Sequence, residues 1–448
     1  MDSISPSISF KKKSLLQAIL LLMLGSWSVV SLLRIFQNTL STEGANDLYV
    51  YWYAGHFVRE AQDPYLAFLT DQLPTLPISY LDKTVTDLQD VIVPGWVPAP
   101  ALTFPLIAAL SLFAFLSWVP AKLVWLGFNL VFILIIPPLI LRLIGSRGPW
   151  GRWTAAIYIV VFIGLTSTRY AASSGQMSFL VLLLSLSSIH LSKSRPLLSG
   201  LLLGLALSKY SIAIGFFLYL LLFERSYKTV LTALAIQAIG VLALSMMSGT
   251  TIVDIALENI SIMIHHSKLE GIHLASFFPQ KSWELQIAIV FSLAVALPLF
   301  RWYRRNKETI IAGGLSPTHR LHLITSLSLW SLLVGYHRAY DAVLYILVLS
   351  LGLLIYRFPE SWEVSRRCRS TLLFFIVFTT IIFMLPAGSL LRDLLPTNLG
   401  SAWIKISVRT TSLLLLAALA ATIFLLFRYR EGYQVKTLSV ETQYAVEK

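Results

Sequence analysis

The sequence predicts an all-α, polytopic membrane protein with about twelve transmembrane helices. Of its 448 residues, 56% are hydrophobic and only 13% are charged, which is more apolar surface than one water-soluble core can bury. Apolar runs of roughly 20 residues, the length that crosses a bilayer as a helix, recur along the chain. The period-2 alternation typical of barrel strands is absent, so the crossings are predicted to be helical.

The formal net charge of +13 indicates membrane topology rather than a nucleic-acid partner. Most Lys and Arg residues fall in short loops between apolar runs, as the positive-inside rule describes. Basic clusters predict cytoplasmic loops at 301–320 and 357–369 and a cytoplasmic tail over 429–448. By alternation, the segments predicted to face outward are 37–98 (first outer loop), 248–282 (second outer loop), 337–341 and 389–403. The single cysteine, Cys368, excludes an intramolecular disulfide.

The predicted spans follow the apolar runs, and they form one domain over residues 1–428. The first is interpreted as an uncleaved signal anchor with a cytoplasmic N-terminus. The clear spans are 14–36, 100–118, 120–143, 153–168, 177–191, 229–247, 283–300, 320–336, 339–356, 371–388 and 404–427.

Segment 197–223 allows two topologies, and the sequence does not choose between them. As one helix it places Lys209 near the membrane centre, which is costly unless the ammonium is paired or faces an aqueous cavity. As two short helices it places Lys209 at a surface, and 100–118 must then be re-entrant.

An interfacial helix is predicted in the first outer loop, directly after Asn46-Asp47. Apolar residues recur there at helical spacing, which predicts a stripe lying in the headgroup layer: Val50, Tyr53, Ala54, Phe57, Val58 and Ala61. Asp47 falls at or near the N-cap, where backbone N–H groups and the helix dipole favour the charged carboxylate. Asp47 is therefore either a cap or a general base.

Three further places carry polar groups among apolar ones. Gly175-Gln176 precedes a span and is compatible with a simple turn or with a close approach of backbone to a ligand.

Lys209 follows the small-xxx-small pattern Gly200 to Gly204, and its partner is predicted to be either a phosphate or a carboxylate on a neighbouring helix. The turn Tyr336 to Asp341 is either a phosphate-binding site built on His337 and Arg338 or a capped turn in which Asp341 pairs with Arg338.

No metal site and no cofactor are predicted. His265-His266 are adjacent and have no cluster of carboxylates or cysteines at ligand spacing. Neither a P-loop nor a GxGxxG after a strand is present, which disfavours nucleotide chemistry.

In their order and membrane placement these motifs resemble the GT-C superfamily of integral-membrane glycosyltransferases. Within it they are similar to glycosyltransferase family 87, the polyprenol-phosphate-mannose-dependent α-mannosyltransferases and their relatives. The resemblance covers roughly residues 10 to 430. The motifs that carry it are Asp47, Tyr51-Trp52-x-Ala54, Asp63-Pro64-Tyr65, Gly175-Gln176, Gly200-x-x-x-Gly204 with Lys209, and His337-Arg338-x-Tyr340-Asp341. The chain departs from the family pattern at Gln62, at Val97-Pro98-Ala99-Pro100 and after Lys209.

The resemblance implies a GT-C-like bundle in a bacterial cytoplasmic membrane, with an outward-facing cavity. It implies inverting transfer of a hexose, mannose being the expected one, from a polyprenyl-phosphate-linked donor to a lipid, glycan or protein acceptor. Asp47 is then the general base, and His337, Arg338, Tyr340 and Asp341 bind the donor phosphate or sugar. Lys209 and Gln176 would line the cavity. Tyr51, Trp52 and Trp96 are candidates for stacking on sugar or lipid.

Two other function classes fit the same composition. A transporter or flippase of lipid-linked saccharides would also be apolar and basic inside, although the symmetry of interrupted helices expected of it is not seen in the sequence. A non-catalytic protein of envelope assembly would have no need of an ionised Asp47.

Overall fold

The computed structural model describes residues 7–41, 44–65, 102–144, 152–267, 271–277, 283–335, 337–385 and 397–429. The regular elements among these residues are all helical, which confirms the predicted class. The α-helices are α1 (Ser7–Leu40), α2 (Asn46–Arg59), α3 (Phe104–Leu110), α4 (Trp118–Leu143), α5 (Arg152–Gly164), α6 (Thr166–Ser173), α7 (Ser178–Leu191), α8 (Pro196–Ala206), α9 (Tyr210–Leu222), α10 (Tyr227–Ser248), α11 (Ile252–Ser267), α12 (Glu284–Arg305), α13 (Lys307–Ile311), α14 (Pro317–Val334), α15 (Ile346–Arg357), α16 (Arg366–Met384) and α17 (Thr397–Leu426). Short 3-10 segments cover Ser111–Phe115, Leu207–Lys209, Leu274–Phe277, Ala339–Tyr345 and Pro359–Ser361.

Eight helical segments of the described residues are long and apolar enough to cross a membrane, although one of them, 196–222, turns back on itself. A ninth arises if α5 and α6, which meet at a bend of 67°, form one broken span. About twelve crossings were predicted. Part of the difference is that 100–118 and 177–191 form shorter apolar helices, Phe104–Phe115 and Ser178–Leu191.

One apolar segment, 196–222, is a hairpin of α8 and α9 with its tip at Leu207–Lys209. Its two ends meet, because Lys193 Nζ lies 3.7 Å from Glu224 Oε1 and the Ser226 hydroxyl donates to the Ser192 carbonyl at 3.4 Å. At the tip, Lys209 leaves the helical region of backbone conformation with φ −109° and ψ 67°. Of the two predicted topologies, the structure therefore has the two short helices, but Lys209 is buried at their tip and does not lie at a surface as that topology predicted.

Glycines let the hairpin pack closely on its neighbours. A Cβ on Gly204 would lie 2.7 Å from Ile236 Cβ on α10, and one on Gly215 would lie 2.8 Å from the Leu327 backbone on α14. Gly204 thus has the packing role that small-xxx-small patterns predict. The Gln237 amide donates to the Gly204 carbonyl at 2.6 Å, so the tip lies near the middle of α10, roughly 15 Å from its first residue.

The segment 100–118 also follows the second topology. The Thr103 N–H donates to the Ser208 carbonyl at the hairpin tip, 2.9 Å away. At its other end the Ala114 carbonyl accepts from the Arg59 guanidinium at 2.6 Å. The segment therefore lies between the tip and the end of α2, and α4 begins beside the end of α1, where Lys122 Nζ donates to the Ser41 carbonyl at 3.1 Å.

The predicted cytoplasmic loops meet at one end of the bundle, here called the basic end. Lys193 donates to the Gly313 carbonyl at 3.3 Å, and Arg320 lies 3.8 Å from Glu224. The Glu363 N–H donates to the Arg428 carbonyl at 2.7 Å. The loops at 192–196, 222–227, 306–320 and 358–366 and the end of α17 thus share one face of the protein.

Helix α2 is a core element, and its apolar stripe packs against protein instead of facing lipid. Val50, Tyr53, Ala54 and Phe57 of the apolar stripe are all buried. A Cβ on Gly55 would lie 2.9 Å from Ser111 Cα, which shows how closely α2 packs on the segment after α3. The apolar stripe, which was predicted to face lipid, is covered by other parts of the protein.

Candidate active site

The start of α2 is held by the C-terminal end of α6. The Ala45 N–H donates to the Ser173 carbonyl at 2.9 Å, and the Asp47 N–H donates to the Ser174 carbonyl at 3.0 Å. These bonds pair free N–H groups at one helix end with free carbonyls at another. The N-cap residue is Ala45, in a left-handed conformation, so the prediction that Asp47 is close to a cap is accurate to two residues.

Gly175 makes this junction possible. Its φ is +73°, and a Cβ there would lie 2.6 Å from Leu48 Cβ. A glycine is therefore required for conformation and for space. The backbone at Gly175 thus approaches the start of α2, whereas the sequence had suggested a simple turn or an approach to a ligand. This contact fixes the position of Asp47.

The Asp47 carboxyl is half-buried and hydrogen-bonded to the side chains of Gln176 and Ser174. Burial raises its pKa above the ordinary aspartate value, although both hydrogen bonds and the charges of Arg338 and Lys209 act in the opposite direction. The cap argument led us to expect the charged form to be favoured. The cost of removing the carboxylate from water is the larger effect here.

Lys209 is paired with a carboxylate. Its Nζ lies 2.7 Å from Asp341 Oδ1, and it donates to the Ser178 hydroxyl at 2.9 Å and to Gln176 Oε1 at 3.1 Å. The Ser178 hydroxyl donates to the same Asp341 oxygen at 2.6 Å. Of the two partners the sequence left open, the described structure contains the carboxylate.

Gln176 connects this ion pair to Asp47. Its carbonyl oxygen accepts from Lys209, which leaves its amide N–H groups for the Asp47 carboxyl. A single side chain therefore contacts both Lys209 and Asp47.

His337 holds the other oxygen of Asp341. Its Nδ1 lies 3.0 Å from Asp341 Oδ2, and the ring is fully buried. The Ile272 N–H donates to the His337 carbonyl at 2.7 Å, so the second outer loop packs against this turn. Arg338, the next residue, is half-buried, and its charge acts on Asp47 and Tyr51.

The aromatic candidates separate into two groups. Tyr51 is within range of the charges of Asp47, Asp341 and Arg338, and the Tyr340 ring lies 5.2 Å from Lys209 Nζ. Trp52 is only 1% exposed and packs in the core, with Nε1 donating to the Leu116 carbonyl at 3.0 Å. Trp96 lies outside the described residues.

Sequence reasoning missed Ser174, Ser178 and His273. The two serines are common residues at helix ends and have no distinctive spacing. His273 is buried, and burial lowers its pKa to about 4, with the charge of His337 acting in the same direction. Its place in the candidate site was not predictable, because the sequence does not determine which residues surround a histidine in a loop.

No group of three His, Cys, Asp or Glu residues that could hold a metal occurs in the described part of the chain. The side chains of His265 and His266 lie outside it. The site contains two carboxyls in different surroundings, Asp341 with three close partners and Asp47 within range of the charge of Arg338.

Residues 103–316 match the model of glycosyltransferase family 87. This match supports the assignment of the chain to glycosyltransferase family 87. No curated protein and no solved structure matches the chain. The matched part contains Gln176, Ser178 and Lys209, whereas Asp47 and the turn at 337–341 lie outside it. The structure brings both of these to the matched residues.

Proposed function

We propose that this protein is a family 87 glycosyltransferase that moves a hexose, mannose being the first candidate, from a polyprenyl-phosphate donor to a lipid, glycan or protein acceptor. Transfer would occur at the outward-facing side of the membrane. The family supports the reaction class, and the membrane helices support a lipid-borne donor. The observation that carries the proposal is Asp47, a half-buried carboxyl within range of the charges of Arg338 and Lys209.

In this mechanism Asp47 is the general base. A carboxylate whose pKa is raised is a stronger base than an exposed aspartate, and it accepts the proton of the acceptor hydroxyl as that oxygen attacks the anomeric carbon. The bond from that carbon to the donor phosphate oxygen breaks, and both of its electrons leave with the lipid phosphate. Attack opposite the leaving group inverts the anomeric configuration.

Arg338 is the cation assigned to the leaving phosphate. A guanidinium stabilises the charge that develops on phosphate oxygens and provides a fork of N–H donors. His337 and Asp341 would fix the turn that presents Arg338, and Lys209 would hold Gln176 against Asp47. Tyr51 and Tyr340 are the aromatic residues placed to contact a sugar.

The test is a transfer assay in nanodiscs with a polyprenyl-phosphate mannose donor and a lipid and glycan extract of the native membrane. Asp47→Asn should reduce transfer by about 10² to 10⁴-fold while the protein remains folded. The proposal would be overturned if the Asp47→Asn protein retained wild-type transfer. It would also fail if the wild-type protein translocated a lipid-linked saccharide across liposomes without any transfer, which is the behaviour of a flippase.

A further inference from the structure

A pocket of about 910 Å³ opens at the basic end, between α12 and the end of α17. Three arginines near the end of α12, Arg301, Arg304 and Arg305, line it together with Phe427. It is far in sequence and position from Asp47, and the proposed transfer reaction does not use it.

The arginines form one cationic face. Residues spaced by three and four positions lie side by side on a helix, and all three are exposed. Among the described residues none of the three forms an ion pair, whereas Lys193 and Arg320 at the same end both approach Glu224. The guanidinium of Arg305 lies 6.0 Å from the Phe427 ring. The pocket therefore has unneutralised positive charge beside an aromatic wall.

Part of the pocket lining is apolar. Leu297 and Phe300, which precede the arginines on α12, are 67% and 58% exposed. They belong to the membrane-spanning segment Leu285–Arg305, so the arginines lie where the span ends and the headgroup layer begins. A ligand that fills this pocket needs an anionic head at the arginines and hydrocarbon against Leu297 and Phe300.

We propose that this pocket binds an anionic glycerophospholipid from the leaflet at the basic end, with its phosphodiester against Arg301 and Arg305. Basic pockets between transmembrane helices select such headgroups, and the planar guanidinium fits two phosphate oxygens at once. The acyl chains lie along Leu297 and Phe300. A zwitterionic lipid of equal chain length has the same hydrocarbon but a trimethylammonium group that the arginines repel.

The test is lipid retention measured by native mass spectrometry, with phosphatidylglycerol and phosphatidylcholine supplied in equal amounts. The wild-type protein should retain phosphatidylglycerol in preference to phosphatidylcholine. The double variant Arg301→Gln/Arg305→Gln should lose about tenfold of that retention. The control Arg366→Gln/Arg369→Gln removes the same charge from residues that do not line this pocket, and it should retain the lipid as the wild type does.

Equal retention by the wild type and both double variants would overturn the proposal, as would equal retention of the two lipids by the wild type. If Arg301→Gln/Arg305→Gln does not fold, the wild-type melting temperature decides. Phosphatidylglycerol added in detergent should raise it, as a ligand of the folded state does, and phosphatidylcholine should not. A rise with inorganic phosphate alone and none with phosphatidylglycerol would also contradict the assignment.

Discussion

At the scale of single residues, the site depends on two aspartates in different surroundings. Asp341 has the Lys209 ammonium, the Ser178 hydroxyl and the His337 ring within 3.0 Å. Asp47 has hydrogen bonds from the side chains of Gln176 and Ser174 and is acted on by the charges of Arg338 and Lys209. Pairs of carboxyls in different surroundings commonly divide their roles, and in the proposed mechanism Asp47 is the one that accepts a proton.

The raised pKa of Asp47 gives a pH prediction. The base acts only when it is deprotonated, so kcat/KM for transfer should fall as the pH drops through the folded-state pKa, above the ordinary aspartate value of about 4. Because the Arg338 charge lowers this pKa, Arg338→Gln should move the acid limb to higher pH. The pH dependence of kcat/KM for wild type and variant measures both, and an unmoved limb in Arg338→Gln would contradict the assignment of the limb to Asp47.

A second prediction concerns the buried ion pair. Lys209→Met leaves the Asp341 carboxylate buried without its cation, and removal of one partner of a buried pair costs about 3–5 kcal/mol of stability. The double variant Lys209→Met/Asp341→Leu removes both charges and should be more stable than Lys209→Met alone. Melting temperatures in detergent for the two single variants and the double variant test this, and additive losses would mean that the two charges do not interact.

The candidate site was largely predictable at this scale, and the reason is chemical. Ionisable side chains in or beside hydrocarbon are costly, so Asp47, Lys209 and Asp341 were conspicuous in the sequence. The hydroxyls of Ser174 and Ser178 carry no such cost and were missed. Which carboxylate pairs with Lys209 also required the fold, because Asp341 is 132 positions away along the chain.

At the scale of elements, the burial of α2 by protein shows what periodicity cannot decide. An apolar stripe indicates that one face of a helix avoids water, but lipid and protein satisfy that preference equally well. The segment after α3 covers α2, as the 2.9 Å approach of Gly55 to Ser111 shows. Nothing in the spacing of either segment predicts the other as its partner.

The α6–α2 junction gives a prediction at this scale. Gly175→Ala should reduce both stability and transfer, because the residue has φ +73° and its Cβ would lie 2.6 Å from Leu48 Cβ. Gly249→Ala is the matched control, since its φ is +71° and nothing lies within 4 Å of an added Cβ. The conformational cost of about 1 kcal/mol is common to both, so only Gly175→Ala should lose transfer beyond its loss of stability. Melting temperatures and transfer rates for the pair separate the two effects.

At the scale of the whole molecule, the hairpin of α8 and α9 decides how the chain crosses the membrane. Both of its ends lie at the basic end, and its tip carries Lys209 to Gln176 and Asp341. The sequence supplied both topologies but no means of choosing, because hydropathy measures how apolar a segment is and not whether it turns back. The contact of Lys193 with Glu224 joins residues on either side of the hairpin, and composition cannot predict it.

This topology is testable by cysteine labelling, since replacing Cys368 by Ser removes the single native thiol. In that background, Ser194→Cys and Lys228→Cys are exposed positions on either side of the hairpin, and Glu60→Cys is an exposed position at the end of α2. The hairpin predicts that Ser194→Cys and Lys228→Cys react with a membrane-impermeant maleimide from the same side, and the positive-inside rule makes that side cytoplasmic. Glu60→Cys should react from the other side. A single crossing of 196–222 would instead expose the first two positions on opposite sides, so labelling of intact spheroplasts and of inverted vesicles distinguishes the two arrangements without any assay of activity.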